Sequence, residues 1–527
     1  MRPPVLAAHA ASPVLEALRR PEAYPERPRR IEERHSHISW VFLVDGFVYK
    51  VKKPVRLTFV DYSTLERRRH FCHEEVRLNR RLAPRVYLGV APIVRRDGRL
   101  IVAAVGASPD GSVVEEYAVR MVRLPDERML DRRLDREGPT AVPVAALARR
   151  LAEFHRLCPR GDGERIGSVE AVRRRVIDNL RETDDFVGDT LRRADRERIE
   201  RAALAFIDDR RALLERRAAL GFVREGHGDL RPEHVCLLPG EEIVVFDCVE
   251  FDERLRTGDV ASELAFLTME IDFLGFPELS EEIARAYAAC AEDADLEGLL
   301  PFYAAHRAHV RGKVETLKSR DAELPAARRA SARDGAERYF RLAARYGRGA
   351  PPPALIAVLG LSGSGKSTVA RVASELSGFA VYSSDVVRKE IAAAERVRAE
   401  DLYSPALARR TYAALRERAA RRLAAGRGAI VDSTLQDDAE RRALAELAAR
   451  AGVGLVFVEC RAREDEIHRR LDARAARGDS VSDATWEVYL GQKKRFAPLA
   501  PMAGARQVTV DTTHGIDVET LERALFG

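Results

Sequence analysis

The apolar run ALIAVLG, ending at Gly360, passes directly into GLSGSGKST, and this junction restricts the fold more than any other feature of the chain. Gly360 to Thr368 fits GxxxxGK[ST] in full, between a predicted strand and a predicted helix. Glycines there let backbone N–H groups turn inward around phosphates, and the helix N-terminus adds the positive end of its dipole. The cradle then consists of Gly360, Leu361, Ser362, Gly363, Ser364, Gly365, Lys366, Ser367 and Thr368. Lys366 is expected to reach the β- and γ-phosphates of ATP, and Ser367 to ligate Mg²⁺. Five short apolar runs (ALIAVLG, FAVYSSD, GAIVDST, VGLVFVEC and RQVTVDT) alternate with Ala-, Leu-, Arg- and Glu-rich stretches of helical spacing. They predict an α/β domain with a five-stranded parallel sheet covered on both faces.

Three prolines, Pro351 to Pro353, stand just before that sheet and forbid helix continuation. They place a linker at 349–353, an N-terminal domain at 1–348 and the P-loop domain at 354–527. The earlier half has a different character. SWVFLVDGFVYKVKK alternates around Asp45-Gly46, a hairpin signal. The segment STLERRRHFCHEEVRLNRRL reads as a helix, RLIVAAVG, EEYAVRMVRL and EEIVVFD as strands, and the regions 144–220 and 258–345 as largely helical. Strands first and helices later predict an α+β, two-lobed domain.

Beyond the phosphate loop, YSSDVVRKE lies at the end of the second strand, on the edge where such sheets bind ligands. Asp385 can accept the proton of an acceptor hydroxyl or face the metal, and Arg388 can stabilise phosphate charge. A simple helix N-cap is the alternative for Ser384 or Asp385. Asp432, ending the third strand in AIVDST, is the expected carboxylate for the magnesium water shell. In HRRLDARAARGDSVSDA, Arg469, Arg470, Arg474 and Arg477 share one helical segment, with Arg470 and Arg474 a turn apart. They suit a lid closing over a triphosphate, or a solvated face.

The N-terminal half holds a second set of phosphoryl-transfer parts. In HGDLRPEH, Asp229 can orient an attacking hydroxyl. Asp247, at the end of the strand IVVFD, suits a metal. In FVYKVKKP, Lys50 is the candidate for the α/β-phosphates, with Lys52 on the same strand face as its rival. In CHEEVRLNRRLAP, Glu75 is preferred over Glu74 as the partner of that lysine. His234 stands where an Asn carbonyl would bind the metal. An imidazole suits softer ions than Mg²⁺, and His234 can instead bond Asp229 or fill the position structurally. Glu250, Asp252 and Asp259 are candidates to meet a cationic substrate or are simply solvated; His155, in LAEFH, reads as a packed helix residue.

Residues 354–500 resemble the P-loop kinase group that includes gluconate kinases, zeta-toxin-like kinases and polynucleotide 5′-kinases, on GLSGSGKST, SSDVVRKE, VDST and RLDAR…SDA. Residues 20–340 resemble the aminoglycoside phosphotransferase family of protein-kinase-like fold, on HISWVFLVDGFVYKVKKPV, DYSTLERRR, HGDLRPEH and FDCVEFDERLRTGDVASELAFL. The pairing resembles bifunctional proteins with a phosphotransferase domain and an ATP-binding domain. It implies ATP and Mg²⁺ as cofactors and γ-phosphate transfer to hydroxyls of small molecules such as sugars, amino sugars or aminoglycosides. Two alternatives are a polynucleotide 5′-kinase in the P-loop domain and a pair in which one domain senses nucleotide or ligand for the other.

The 89 Lys and Arg residues against 83 Asp and Glu permit an anionic partner, but the charges are interspersed and no aromatic stacking platform stands out, so nucleic acid is not favoured. No run nears the roughly 18 apolar residues of a membrane span. The N-terminal stretch does not read as a signal peptide. Six scattered cysteines without CxxC pairing predict reduced thiols and a cytoplasmic protein. Nothing in the pattern specifies an oligomeric state.

Overall fold

In the computed structural model of the protein, residues 12–57, 60–107, 112–398, 401–477 and 484–526 are described. The chain forms two compact units. The first comprises residues 1–181, 204–270 and 279–307; the second comprises 182–203, 271–278 and 308–527, so the Pro-rich segment lies within it.

The first unit is built on a six-stranded antiparallel sheet, β1 (Ile31–His35), β2 (Ser39–Val44), β3 (Phe47–Lys52), β4 (Tyr87–Arg96), β5 (Arg99–Val102) and β6 (Val113–Val122), in the order β1-β2-β3-β6-β4-β5. The hairpin forms where the alternation predicts it. Val44 pairs with Phe47, and Asp45 takes a left-handed φ of 49° in the two-residue turn. One sheet face buries Trp40, Phe42, Tyr49, Val51 and Ile93. The other packs against helix α1 (Leu65–Asn79), whose Cys72 and Val76 meet Val90, Val119 and Met121. Two short antiparallel pairs follow: β7 (Val223–Glu225) with β10 (Thr257–Asp259), and β8 (Val235–Leu237) with β9 (Ile243–Val245). Helices α2 (Val144–Leu157) and α3 (Val260–Phe273) flank them in sequence. The third predicted strand of this region, IVVFD, ends at Val245, two residues before Asp247.

The second unit has the predicted five-stranded parallel sheet: β11 (Ala354–Leu359), β12 (Ala380–Ser383), β13 (Ala429–Asp432), β14 (Gly454–Arg461) and β15 (Ala505–Asp511), in the order β12-β13-β11-β14-β15. Alternate residues of β11 enter separate cores. Leu355, Ala357 and Leu359 pack on one face, Ile356 and Val358 on the other, which is why the strand is continuously apolar. Around the sheet lie α4 (Ala326–Arg348), α5 (Lys366–Ser377), α6 (Ser384–Glu395), α7 (Glu464–Arg477) and α8 (Trp486–Arg495). The first strand lies between the third and fourth, so the switch point of the topology falls at the C-terminal end of β11.

All six cysteines are free, and Cys460 lies in a core. Among the described residues, no helix is long and apolar enough to cross a membrane.

Candidate active sites

The N-terminal site begins with the two-residue period of β3. Lys50 and Lys52 point to the same side, where α1 presents Glu75. Glu75 is fully buried and spans both lysines: Oε1 is 2.9 Å from Lys50 Nζ, and Oε2 accepts from Lys52 Nζ at 2.8 Å. Beyond Glu75 the lysines diverge. Lys50, 15% exposed, also donates to Asp247 Oδ1 at 2.6 Å. Lys52 is sealed in, bonded to Glu250 and, at 3.4 Å, to the Tyr62 hydroxyl. Burial opposes the charge on Lys50, yet Asp247 and Glu75 hold its pKa well above the ordinary value. Glu74 instead pairs with Arg77 at 2.8 Å.

Asp247 has a left-handed backbone, φ 64°, a region that few non-glycine residues adopt. Its N–H donates to the Tyr87 hydroxyl at 3.1 Å, and the next N–H, of Cys248, donates to Asn79 Oδ1 at 2.9 Å. These two bonds fix the turn that aims the Asp247 carboxylate at Lys50. Desolvation opposes its ionisation, but the charges of Lys50 and His234 outweigh that and hold the carboxyl well below the usual range.

Asp229 sits in a loop clamped from behind by Glu263 of α3. Glu263 Oε1 accepts from the His227 N–H at 2.6 Å and from the Gly228 N–H, while Oε2 accepts from His155 Nε2 at 3.0 Å. The Tyr287 hydroxyl donates to His155 Nδ1 at 2.6 Å. His155 is therefore a packed helix residue, as expected, whose packing supports the loop. His227 Nε2 donates to the Phe246 carbonyl at 2.9 Å, and its Nδ1 accepts from the Asp229 N–H at 3.3 Å. The ring is thus the neutral tautomer, and burial lowers its pKa to about 4. Both Asp229 carboxylate oxygens accept from Arg231, at 3.0 and 3.1 Å.

His234 donates from Nδ1 to the Asp229 carbonyl at 2.8 Å, which leaves Nε2 3.8 Å from Asp247 Oδ2. His234 thus takes a structural bond and still turns a ring nitrogen toward Asp247. The three nearby acids are not solvated. Glu250 is buried on Lys52, and Asp259 is buried in an ion pair with Arg217 at 2.7 Å. Asp252 caps the helix Glu253–Arg256 by accepting from the Arg254 N–H. Each is engaged by a cation or a cap.

At the C-terminal site, Gly365 has φ 82° at the start of α5, and a Cβ there would stand 2.9 Å from Thr512 Oγ1. The loop therefore needs glycine both for its backbone and for close approach. Lys366 Nζ donates to the Leu361 carbonyl at 2.8 Å, and burial lowers its pKa despite the charge of Asp432. Ser367 Oγ donates to Asp432 Oδ2 at 2.8 Å. Asp432 lies at the end of β13, which pairs in register with β11, and burial raises its pKa against the pull of Lys366. Asp385 is in the first turn of α6; the N-cap residue is Ser383, and the Asp385 carboxylate accepts from Arg388 Nη1 at 2.8 Å. Arg388 also lies 5.0 Å from the Tyr403 ring centroid. Lys366, Ser367, Asp385, Arg388 and Asp432 line one cleft of ≈ 1110 Å³.

Of the α7 arginines, Arg470 is fastened to the loop, with Nη1 donating to the Gly363 carbonyl at 3.3 Å and to Thr512 Oγ1 at 3.0 Å. Arg474 lines the cleft. Arg469 pairs with Glu466 at 2.7 Å. The polar loop after α7, residues 478–483, and the Arg477 side chain lie outside the described residues.

Mg²⁺ prefers hard oxygen donors and retains several waters, so it needs few protein ligands. The Ser367 hydroxyl beside the Asp432 carboxylate meets that requirement. The N-terminal pair, Asp247 Oδ2 and His234 Nε2, offers one oxygen and one nitrogen. Among the described residues, no group of three or more His, Cys, Asp or Glu side chains forms a preassembled metal site.

Several residues at these sites escaped sequence reasoning. Glu263, Tyr87, Asn79 and Gln492, which accepts from the Ser362 N–H at 2.9 Å, carry no local motif. Glu263, in ELAFL, and Asn79, in CHEEVRLNRRLAP, stand in segments whose other residues carry the pattern.

Two lobes centred on a Lys–Glu–Asp constellation, followed by a strand–P-loop–helix unit, define a chain of two kinase-type domains. Residues 49–302 match the Phosphotransferase enzyme family and residues 355–499 an AAA domain. The chain is 33% identical over 499 residues, 92% of each protein, to "Uncharacterized protein Rv2004c" of Mycobacterium tuberculosis. It belongs to the family of that protein, with a phosphotransferase region followed by a P-loop kinase region, and it is an ATP-dependent phosphotransferase. Among solved structures, a choline/ethanolamine kinase family protein from Mesorhizobium loti is 14% identical, covering 63% of this chain and 95% of its own, with a TM-score of 0.38. A putative kinase from Chloroflexus aurantiacus is 23% identical, covering 33% and 94%, with a TM-score of 0.29.

Proposed function

We propose that the protein is bifunctional, with each domain transferring the γ-phosphate of ATP to a hydroxyl of a small molecule such as a sugar, amino sugar or aminoglycoside-like compound. The observation that carries this reading is the pair of complete constellations: Lys50, Glu75 and Asp247 beside the Asp229 loop, and Lys366, Ser367 and Asp432 beside Asp385. Magnesium, when bound, neutralises charge on the transferred phosphate. Ser367 and Asp432 would hold it in the P-loop domain, and Asp247, with His234 turned toward it, in the N-terminal domain.

The protein's own groups supply position and charge. Lys50 steadies the nucleotide phosphates from a point fixed by Glu75, and Lys366 does the same from the P-loop. Asp229 and Asp385 orient the incoming hydroxyl and accept its proton as the bond to phosphorus forms. Arg388, Arg470 and Arg474 balance charge around the P-loop nucleotide, and a closed cleft excludes water that would otherwise take the phosphate.

The bidentate Arg231–Asp229 pair supports a second reading, in which the N-terminal domain binds nucleotide without rapid transfer and senses it for the other domain. Phosphorylation of a metabolite pool with labelled ATP separates the two readings when repeated with Asp229→Asn and Asp385→Asn. Loss of different labelled products in the two variants is expected. If Asp229→Asn retains every product while still binding nucleotide, the N-terminal domain is a sensor. Oligonucleotides labelled at the 5′ end would instead favour a polynucleotide kinase.

A further inference from the structure

The P-loop carries a second opening. Lys366, Ser367, Asp385 and Asp432 line only the large cleft, whereas Gly363, Gly365 and Thr368 also wall a smaller cavity of ≈ 590 Å³. In a loop of this type the lysine reaches the β- and γ-phosphates. A nucleotide whose γ-phosphate lies toward Asp432 and Asp385 therefore sends its nucleoside the other way, past Thr368 and along the first turns of α5. The smaller cavity occupies that position, with Val372, Ile516 and Val518 among its walls. Its size falls in the range of roughly 300–1,000 Å³ common for small-ligand pockets.

One wall comes from outside the P-loop fold. Asp334, Glu337 and Arg341 of α4 follow i, i+3, i+7 spacing, share a stripe of the helix, and all line the cavity. Helix α4 is fastened to α5 at this point. Arg341 donates twice to Glu375 Oε2, at 3.0 and 2.9 Å, and Arg338 donates to Oε1 at 2.7 Å. The two acids of the stripe are held loosely by comparison. Asp334 stands 3.9 Å from Arg371, and Glu337 stands 3.5 Å from Arg333 and 3.9 Å from Arg341. Burial raises the Glu337 pKa despite those two cations.

We infer that α4 completes the nucleoside end of the P-loop site, with Asp334 and Glu337 accepting hydrogen bonds from nucleoside donors, either ribose hydroxyls or a base amino group. The inference rests on the reading of the P-loop as an ATP site. It makes nucleoside recognition depend on a helix that precedes the sheet by sequence and lies outside residues 355–499.

Calorimetric titration of the full-length protein with ADP, 2′-deoxyADP and inosine diphosphate tests it. Lys366→Ala identifies the P-loop component by its disappearance. In Asp334→Ala/Glu337→Ala that component is expected to weaken about 10-fold for ADP, as for loss of hydrogen bonds to charged acceptors. The loss should shrink for 2′-deoxyADP if the ribose is the donor, or for inosine diphosphate if the base amino group is. Alanine is the best helix former, so α4 should keep its shape, and an unchanged Tm checks this. ADP affinity equal to the parent's in the double variant, with the Lys366-dependent component intact, overturns the inference alone. If Lys366→Ala removes no component, the ATP-site reading of the P-loop fails and takes the inference with it.

Discussion

The backbone N–H of Ser362 donates to Gln492 Oε1, 2.9 Å away, so a side chain of α8 rests on the turn of the phosphate loop. Helix α8 is seated there by Tyr489, buried against Ile467 and Leu471 of α7. A phosphate that takes up this N–H would have to displace Gln492. Replacing Gln492 with Ala should tighten ADP binding at the P-loop about five-fold, the equivalent of ~1 kcal/mol for one neutral hydrogen bond. Calorimetry reads this directly, and unchanged or weaker binding contradicts it.

Glu75 divides its two oxygens between Lys50 and Lys52, and the two lysines should fail differently when replaced. Lys50→Ala should lower turnover in the N-terminal domain about 100-fold, in line with loss of one charge-stabilising donor. Lys52→Met should instead leave Glu75 and Glu250 buried without their shared cation and cost about 3–5 kcal/mol of stability. Urea unfolding beside product assays separates the two outcomes; equal stability loss in both variants would refute the division.

The clamp behind Asp229 depends on space as well as charge. A Cβ on Gly226 would lie 2.4–2.7 Å from the Glu263 carboxylate atoms. Gly226→Ala should push Glu263 off the loop, and Glu263→Ala should strand the His227 and Gly228 N–H groups, at a cost on the order of 3 kcal/mol. Both variants should lose N-terminal activity while Lys366-dependent nucleotide binding survives. Retained N-terminal activity in both would show that the clamp is dispensable.

Acid should loosen the same loop. His227 is neutral in the fold with its pKa lowered to about 4 by burial, against an ordinary 6.5, so the unfolded chain takes up the proton first. Its contribution to stability is complete above pH 6.5 and is lost as pH falls toward 4, on the order of 3 kcal/mol in all. Glu263, lowered to about 2 because its bonds to His155 and the loop outweigh burial, adds a further loss between pH 4.5 and 2. Thermal melts from pH 7 to pH 4 should show a falling Tm, less steep in His227→Phe once its own offset at pH 7 is subtracted. A flat profile for the parent would contradict the neutral-ring assignment.

Much of this was legible locally. GLSGSGKST, the hairpin at Asp45-Gly46 and the strands of the parallel sheet follow from requirements that act over a few residues: positive φ at Gly365, a two-residue turn, strands buried on both sides. The preference for Glu75 over Glu74 agrees with the pairing of Glu75 to Lys50 and of Glu74 to Arg77, and Asp432 does end its strand. The acids after Asp247 were misjudged because a solvated carboxylate and one buried against Lys52 or Arg217 have the same local sequence. The end of β9 was placed late because Phe246 continues the apolar run, while Asp247 turns left-handed and the Asp247 and Cys248 N–H groups donate to Tyr87 and Asn79 instead of to a neighbouring strand.

By itself, the sequence determined the P-loop and the parallel sheet behind it, since short-range backbone geometry dictates which residues such a loop can contain. Only the tertiary structure decided which lysine faces outward from Glu75, what holds the Asp229 loop, that α4 fastens to α5 and that Gln492 meets the P-loop. Those contacts join segments tens to hundreds of residues apart, and they depend on packing and desolvation that no local spacing encodes.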